Sequence, residues 1–313
     1  MKKAKNIGLF FVMVFLFGVF VCTFFAFFSK VSFLADICSQ FRFQYFLFSF
    51  IALIVFYIAR TDKKLVYIAF VTFLINAVCV LNCLRFPDFV NHHDISIGVI
   101  NLLSSNNKYE KVRDELLKKD VDILVIEEIN DKWSLELQEV KSDYPFIYEL
   151  SREDNFGIAF YSKIPIKAFQ KVNAGIFDVP AIMALCDFDG HEFEFIAVHT
   201  TPPINSEYFR NTSKMFKNIA QYVEKSERDV IVAGDVNTTA FSYNYKNFVK
   251  QSDLKDSGNI FKTTWSAKHF PFMRIALDHI FVPKTYKVKD FEVGKNVGSD
   301  HFPIYAKISF ENQ

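Results

Sequence analysis

Cysteine is scarce in this chain, with five in 313 residues. Cys22, Cys79 and Cys83 fall inside long apolar stretches, Cys38 lies between two of them, and Cys186 sits alone in an apolar run of the C-terminal part. A disulfide framework within that part is excluded, no metal-ligand spacing of cysteines involves Cys186, and Cys186 reads as a core residue. There is no Gly-rich phosphate loop and no serine or cysteine nucleophile in a known arrangement. Repeats and low-complexity segments are missing too. Charge of one sign is also lacking, since the net charge is +1. Residues 1–90 hold nine basic and three acidic residues, a net of +6, which leaves −5 for residues 91–313. Dedicated duplex-DNA binders are basic because phosphate contacts supply most of their affinity. This part is not, although nine Lys and Arg between Lys246 and Lys289 lean that way. They read either as a solvated face or as a device that steers an anionic substrate.

What the chain has in excess is apolar length at its start. Ile7 to Phe28, Phe43 to Ala59 and Leu65 to Leu84 carry no charge. A bilayer core needs about 20 apolar residues as a helix, with roughly 17 as the lower limit. Three membrane helices are expected. The first is too long for a signal-peptide core and no small-residue cleavage site follows it. A lipid-modified Cys22 is disfavoured by the bulky Phe20 and Val21 before it. Lys2, Lys3 and Lys5 precede the first stretch, and Arg60, Lys63 and Lys64 separate the second from the third. Positive ends stay in the cytoplasm, so three crossings place residue 91 onward outside it. The stretches lack the ionisable groups that transport pathways use, so they read as an anchor. The expected division is an anchor over 1–90 and a catalytic part over 91–313.

After a short linker at Phe86 to Asp94, whose His92-His93 pair has no ligand partner nearby, apolar runs predict strands over 95–101, 123–126, 158–161, 182–188, 193–198, 230–234, 275–282 and 304–310. Helices are predicted over 109–119, 132–140 and 206–224. Strands outnumber helices, which points to two packed sheets with helices outside, an α/β arrangement. Pattern alone is also compatible with a doubly wound sheet.

Polar residues recur where these strands end or begin. Asn101 ends the first, Glu127 and Glu128 the second, His199 the run Phe195–Val198, and Asp235 and Asn237 the run Val230–Gly234. Asp278 and His279 interrupt the next, and Asp300 and His301 precede the last. Carboxylates and amides are the ligands of hard cations such as Mg²⁺. Histidines serve proton transfer and charge stabilisation. The combination points to metal-assisted attack of water on a phosphate ester.

The series Asn101, Ile126-Glu127-Glu128-Ile129, Phe156-Gly157-Ile158-Ala159, Val198-His199-Thr200, Gly234-Asp235-Val236-Asn237, Leu277-Asp278-His279 and Gly298-Ser299-Asp300-His301 resembles the endonuclease/exonuclease/phosphatase (DNase I-like) superfamily. That group includes DNase I-like nucleases, abasic-site endonucleases, inositol-polyphosphate phosphatases and sphingomyelinases. The resemblance covers nearly all of residues 95–313 and implies a four-layered α/β/β/α sandwich. It implies Glu128 as principal Mg²⁺ ligand (Mn²⁺ in its place), supported by Asn101 and by Asp300 on the metal side. It implies Asp235 for the attacking water, Asn237 for the pentacovalent phosphorus, and His301 for the scissile phosphate with Asp278 orienting it. His199 resembles a second phosphate-facing histidine, with Asp154 or Asn155 as candidate partners. The usual Gln-Glu pair is Glu127-Glu128 here.

Other residues read more plainly. Glu127 reads as a solvated neighbour, His279 as structural, Asp253 and Asp256 as loop residues, and Arg210 as structural. Arg274 is a candidate phosphate contact. Trp265, Phe270 and Phe272 belong to a loop that covers the site, touches lipid or packs as core. The expected function is a membrane-anchored Mg²⁺-dependent phosphoesterase acting on a nucleic acid, a phospholipid head group or a phosphorylated metabolite. No obligate protein partner is inferred. The competing reading is a catalytically inactive membrane interaction module on the same fold.

Overall fold

Residues alternate along the first strand of the C-terminal part in a way that fixes its place. Ile95, Ile97 and Val99 enter one apolar cluster, while Ile100 and Leu102 enter another. The next strand repeats this, with Ile123 and Val125 on one side and Leu124 and Ile126 on the other. Successive side chains of a strand point to opposite faces, so both faces of this sheet are buried. That is why the runs are continuously apolar. The computed structural model describes residues 2–85, 88 and 90–310. Of the expected linker, residues 86, 87 and 89 lie outside the described residues.

The chain packs as two compact units, one of Met1–Leu84 with Pro203–Ser206 and Ala240–Tyr243, the other of the remainder. In the first, α1 spans Lys2–Phe25, α2 Phe33–Gln40, α3 Arg42–Ala59 and α4 Lys63–Leu81. Three stretches, Ile7–Phe28, Arg42–Ala59 and Lys63–Leu81, are long and apolar enough to cross a membrane. The segment between the first two contains α2, capped by the Ser32 hydroxyl, which accepts from Ala35 N–H. Leu16, Ala52, Phe56 and Ala69 form the buried seam. Arg42 Nη1 donates to Asn76 Oδ1 at 3.1 Å, and Asn76 Nδ2 donates to Thr23 Oγ1 at 2.9 Å, which ties α3, α4 and α1 together.

The second unit holds β1 Ile95–Asn101, α5 Tyr109–Lys119, β2 Ile123–Glu127, α6 Asp131–Glu136, α7 Gln138–Lys141, β3 Phe146–Leu150, β4 Ile158–Ser162, β5 Ile166–Asn173, β6 Pro180–Phe188, β7 His191–Ala197, α8 Ser206–Lys225, β8 Asp229–Asp235, α9 Tyr243–Ser252, β9 Leu254–Asp256, β10 Asp278–Pro283, β11 Lys287–Val293 and β12 Ile304–Ser309. They form two six-stranded sheets, ordered β11-β12-β1-β2-β4-β3 and β5-β6-β7-β8-β10-β9. One pair in each sheet is parallel, β1 with β2 and β7 with β8. The predicted helix over 132–140 is broken at Leu137 into α6 and α7, and β10 begins at Asp278 rather than at 275. Two sheets with helices outside is the α/β sandwich expected for the DNase I-like fold.

The inner faces of the two sheets share one core, with Ile97, Val125, Phe160, Phe195, Ile231 and Ile280 among its members. Each such side chain contributes roughly 1.5–3 kcal/mol by leaving water, and truncating one to Ala costs about 2–5 kcal/mol. Cys186 lies in this core, as expected. The outer cluster of Leu124, Ile126, Trp133 and Tyr161 covers the other face of β2 and β4.

Candidate active site

Register brings the polar strand ends together. Asn101 at the end of β1 pairs with Glu127 at the end of β2, and Asp235 at the end of β8 pairs with Asp278 at the start of β10. Each sheet thus presents two polar residues at one end of its centre. The two presentations meet. Asn101 Nδ2 donates to Glu128 Oε1 at 3.1 Å and to Asp235 Oδ2 at 3.2 Å, the second bond crossing from one sheet to the other.

Glu128 lies just past β2 with φ 57°, which turns its carboxylate away from the strand's alternation. Its Oε2 accepts the Ser104 N–H at 3.0 Å. Burial holds the Glu128 carboxyl above its ordinary value, partly offset by Ser104 and Asn101, and the nearby Asp300 charge adds to the rise. Glu127 departs from the solvated reading. It is 0 % exposed, and its Oε1 accepts the backbone N–H of Asp235 at 2.8 Å across the sheets. Its Oε2 has no hydrogen-bond partner among the described residues. Burial pushes its carboxyl well above the usual range, helped by the charges of Asp278 and Asp235. A sequence cannot say that a second sheet closes over a glutamate at a strand end.

That approach is close. A Cβ at residue 234 would sit 1.8 Å from the Val198 carbonyl oxygen and 2.7 Å from Glu127 Oε1, so only glycine fits. Asp235 Oδ1 accepts the Asn237 N–H at 2.9 Å, and Asn237 Nδ2 donates to the Thr200 carbonyl at 2.8 Å. Burial raises the Asp235 carboxyl even though His301 opposes the rise.

His301 Nδ1 donates to Asp278 Oδ2 at 2.9 Å, while its Nε2 lies 3.5 Å from Asp235 Oδ2. Burial would lower this imidazole, but the Asp278 and Asp235 carboxylates outweigh it and its pKa is pushed up to about 10. Burial likewise works against the Asp278 carboxylate, yet His301 holds it below its ordinary value. Ser299 Oγ accepts the His301 N–H at 3.0 Å, and Thr264 Oγ1 accepts from Leu277 and Asp278. Ser299 and Thr264 support the site from its edges. Ser299 stands within the Gly298–His301 run, whereas nothing in the sequence marks Thr264.

His199 Nε2 stands 3.7 Å from Asp235 Oδ2, and its buried Nδ1 has no hydrogen-bond partner among the described residues. Burial lowers its pKa, so it sits neutral beside the charged His301. Asp154 is exposed and paired with Arg152, and Asn155 bonds Ser104, so neither partners His199 as expected. Asp300 Oδ2 accepts from Trp265 Nε1 at 3.2 Å. Arg274 Nε donates to the His269 carbonyl at 2.9 Å, and its guanidinium lies 4.7 Å from the Phe302 ring centre. Phe270 and Phe272 are exposed and stacked on each other at 6.0 Å, which removes the core reading for both. His279 is structural, as read. Asp256 is not a loop residue; it belongs to β9 and is buried against His279. Asn101, Glu128, Asp235, Asp278, His301 and His199 therefore meet in one cluster, with Asn237 bonded to Asp235 and Asp300 beside Glu128.

One side-chain atom each of Asp235, Asp278 and His301 lies within 4.8 Å of the others, close enough to clasp a cation. With His301 between the Asp278 and Asp235 carboxylates, the trio is also a charge network. The oxygen donors around Glu128 could also hold a cation. Three carboxyl groups there, Glu127, Glu128 and Asp235, are all raised in a buried region crowded with negative charge. A hard divalent ion would relieve that crowding.

The Endonuclease/Exonuclease/phosphatase family model matches residues 98–301. The chain belongs to this family and is a hydrolase acting on phosphate ester bonds. Among solved structures, a family protein from Bacteroides vulgatus is similar at 20% identity and TM-score 0.59, over 70% of this chain and 100% of that one. One from Leptotrichia buccalis is similar at 19% and 0.59, over 69% and 100%. The D. rerio TDP2 structure complexed with single strand DNA product is similar at 17% and 0.59, over 69% and 98%. At these identities the likeness shows the fold. No curated protein matches the chain.

Proposed function

We propose that the chain is a membrane-anchored, divalent-metal-dependent phosphoesterase, with residues 1–90 as anchor and residues 91–313 as catalytic domain. The observation that carries this reading is His301 bracketed by Asp278 at 2.9 Å and Asp235 at 3.5 Å, with the Asn101–Glu128 pair bonded to the same Asp235. Glu128, with Asn101 and Asp300, would hold Mg²⁺ or Mn²⁺. When bound, that ion would polarise a phosphoryl oxygen and offset its charge. Asp235 orients water and takes its proton, a task suited to a carboxylate with raised proton affinity. The His301 imidazolium, oriented by Asp278, stabilises negative charge growing on the phosphoryl oxygens. His199 contributes a neutral imidazole on the same side. Asn237, fixed by Thr200, offers its amide to the pentacovalent phosphorus. Trp265 and Arg274 belong to the substrate-side loop.

The substrate carries a phosphate ester on a nucleic acid, a phospholipid head group or a small metabolite. The Lys and Arg distribution supports an extracytoplasmic catalytic domain. An inactive module on the same fold would lack a member of the site, and every member stands in this chain.

The test uses the full chain in neutral detergent. Hydrolysis of bis(p-nitrophenyl) phosphate is expected to need Mg²⁺ or Mn²⁺, to stop with EDTA, and to fall with Asp235→Ala. Activity that persists through both chelation and substitution overturns the reading. DNA, RNA, sphingomyelin and phosphoinositides then serve as substrate panels, and a C-terminal phosphatase reporter reads the topology.

A further inference from the structure

The basic segment noted in the sequence finds a focus outside the carboxylate cluster. Lys255 of β9, Lys262 of the turn after it and Lys289 of β11 line one cavity of about 460 Å³ together with Arg85. All four are half-buried. Lys255 is neutralised by Asp88 at 2.7 Å, and that carboxylate also accepts the Val288 N–H at 2.9 Å. Lys289 Nζ donates to the Asn91 carbonyl at 2.8 Å. Arg85 and Lys262 have no side-chain hydrogen bond or ion pair among the described residues. Of the other acids lining the cavity, Asp256 is committed to Tyr245 and His279, and Asp290 is exposed.

Half-buried cations without counter-charges have lost hydration and gained nothing for it. Gathered in a concavity, they concentrate anions. A guanidinium fork and an ammonium lining one cavity suit the oxygens of a phosphate. The volume lies within the roughly 300–1,000 Å³ of small-ligand sites, so there is room for more than a bare phosphate. Arg85 stands four positions beyond Leu81, where α4 ends. Four residues reach at most about 14 Å, so chain length alone keeps Arg85 within reach of the head groups if α4 spans a membrane.

We propose that this cavity is a binding site for a phosphate-bearing anion, separate from the reaction centre, with Arg85 and Lys262 as its main contacts. A lipid head group is the source that the position of Arg85 favours. That choice of source rests on the membrane-anchored reading, while the anion site itself does not.

The experiment compares the wild-type full chain with Arg85→Gln/Lys262→Gln. Native mass spectrometry from nanodiscs of phosphatidylcholine with phosphatidylglycerol is expected to show phosphatidylglycerol retained by the wild type, at occupancy at least about tenfold above the variant. Calorimetry with glycerol phosphate in neutral detergent forms the second arm. Affinity lost there by a similar factor, with equal lipid retention, assigns a soluble source to the same site. No difference in either arm, or no binding by the wild type, overturns the proposal. Hydrolysis of bis(p-nitrophenyl) phosphate is expected to be unchanged in the variant; a fall would place these residues in the catalytic site and overturn their separate role. Failure of the phosphoesterase reading would instead appear as absent hydrolysis in both proteins. Should the double variant not fold, Lys262→Gln alone carries both arms with a smaller expected loss.

Discussion

Two hydrogen-bonded histidine–aspartate pairs stand among the described residues of this domain and are built from the same parts. His279 Nδ1 meets Asp256 at 2.7 Å, and His301 Nδ1 meets Asp278 at 2.9 Å. All four residues are buried. Carboxylates raise both imidazoles against burial. They differ at the other nitrogen. His279 Nε2 is closed off by the Thr238 carbonyl at 3.0 Å, whereas His301 Nε2 looks across 3.5 Å at Asp235, beyond good hydrogen-bond length. A pair whose every polar atom is satisfied holds the fold; a pair left with one nitrogen to spend can meet a substrate. The Asp–His dipeptide at 278–279 divides its two side chains between these tasks, because neighbours in a strand face opposite ways.

The sharpest way to break the comparison is to remove each imidazole. His301→Ala is expected to lower turnover of bis(p-nitrophenyl) phosphate by about 10²–10⁴-fold with the fold kept. His279→Ala leaves the buried Asp256 without its charge partner, with only Tyr245 and Gly258 still donating to it, so about 3–5 kcal/mol of stability is lost while turnover of the folded fraction changes little. Denaturant melts and activity titrations of the same samples read both. Exchanged outcomes would show that the open nitrogen does not mark the chemistry.

Asp278→Asn comes next, with a turnover loss of about 10² or more, and it sharpens the electrostatic half. A raised folded pKa contributes stability that is complete below the ordinary value of 6.5 and is lost as pH climbs through about 10. Wild-type melting temperature should therefore decline across that window. In Asp278→Asn the decline should start from a smaller excess and end at lower pH. Identical melting profiles would remove Asp278 as the source of the His301 charge.

The smallest effect is expected at Glu127. Burial and the Asp278 and Asp235 charges push its carboxyl up, and Glu127→Gln keeps an acceptor for Asp235 N–H, so it should cost less than about 1.5 kcal/mol. Glu127→Ala strips that buried N–H of its partner and should cost about 1–3 kcal/mol. Thermal melts of the two variants separate them.

The central strands were legible because burial on both faces writes an uninterrupted apolar run, as in Ile123–Ile126. The edges were not. β3, β5, β9 and β11 are the outer strands of the two sheets, and all four escaped the reading. β5 is half exposed and carries Lys167 and Lys171, and β11 is interrupted by an irregularity between Val288 and Asp290. Charges and bulges protect edges from pairing with other chains, and in doing so they erase the periodic signal. The polar residues of the site stood out for the opposite reason, since each interrupts or ends a central strand. Glu127 escaped because its partner lies 108 residues along the chain in the other sheet, and Thr264 because it stands outside every predicted strand and helix.

The Glu127–Asp235 bond joins positions 108 residues apart, one from each sheet. The site takes Asn101 and Glu127 from one sheet and Asp235 and Asp278 from the other, so a half-folded chain has no complete site to offer. Long-range closure is the slow part of folding. Turnover in this enzyme is therefore a measure of finished assembly, and an incompletely folded molecule cannot cut an ester prematurely.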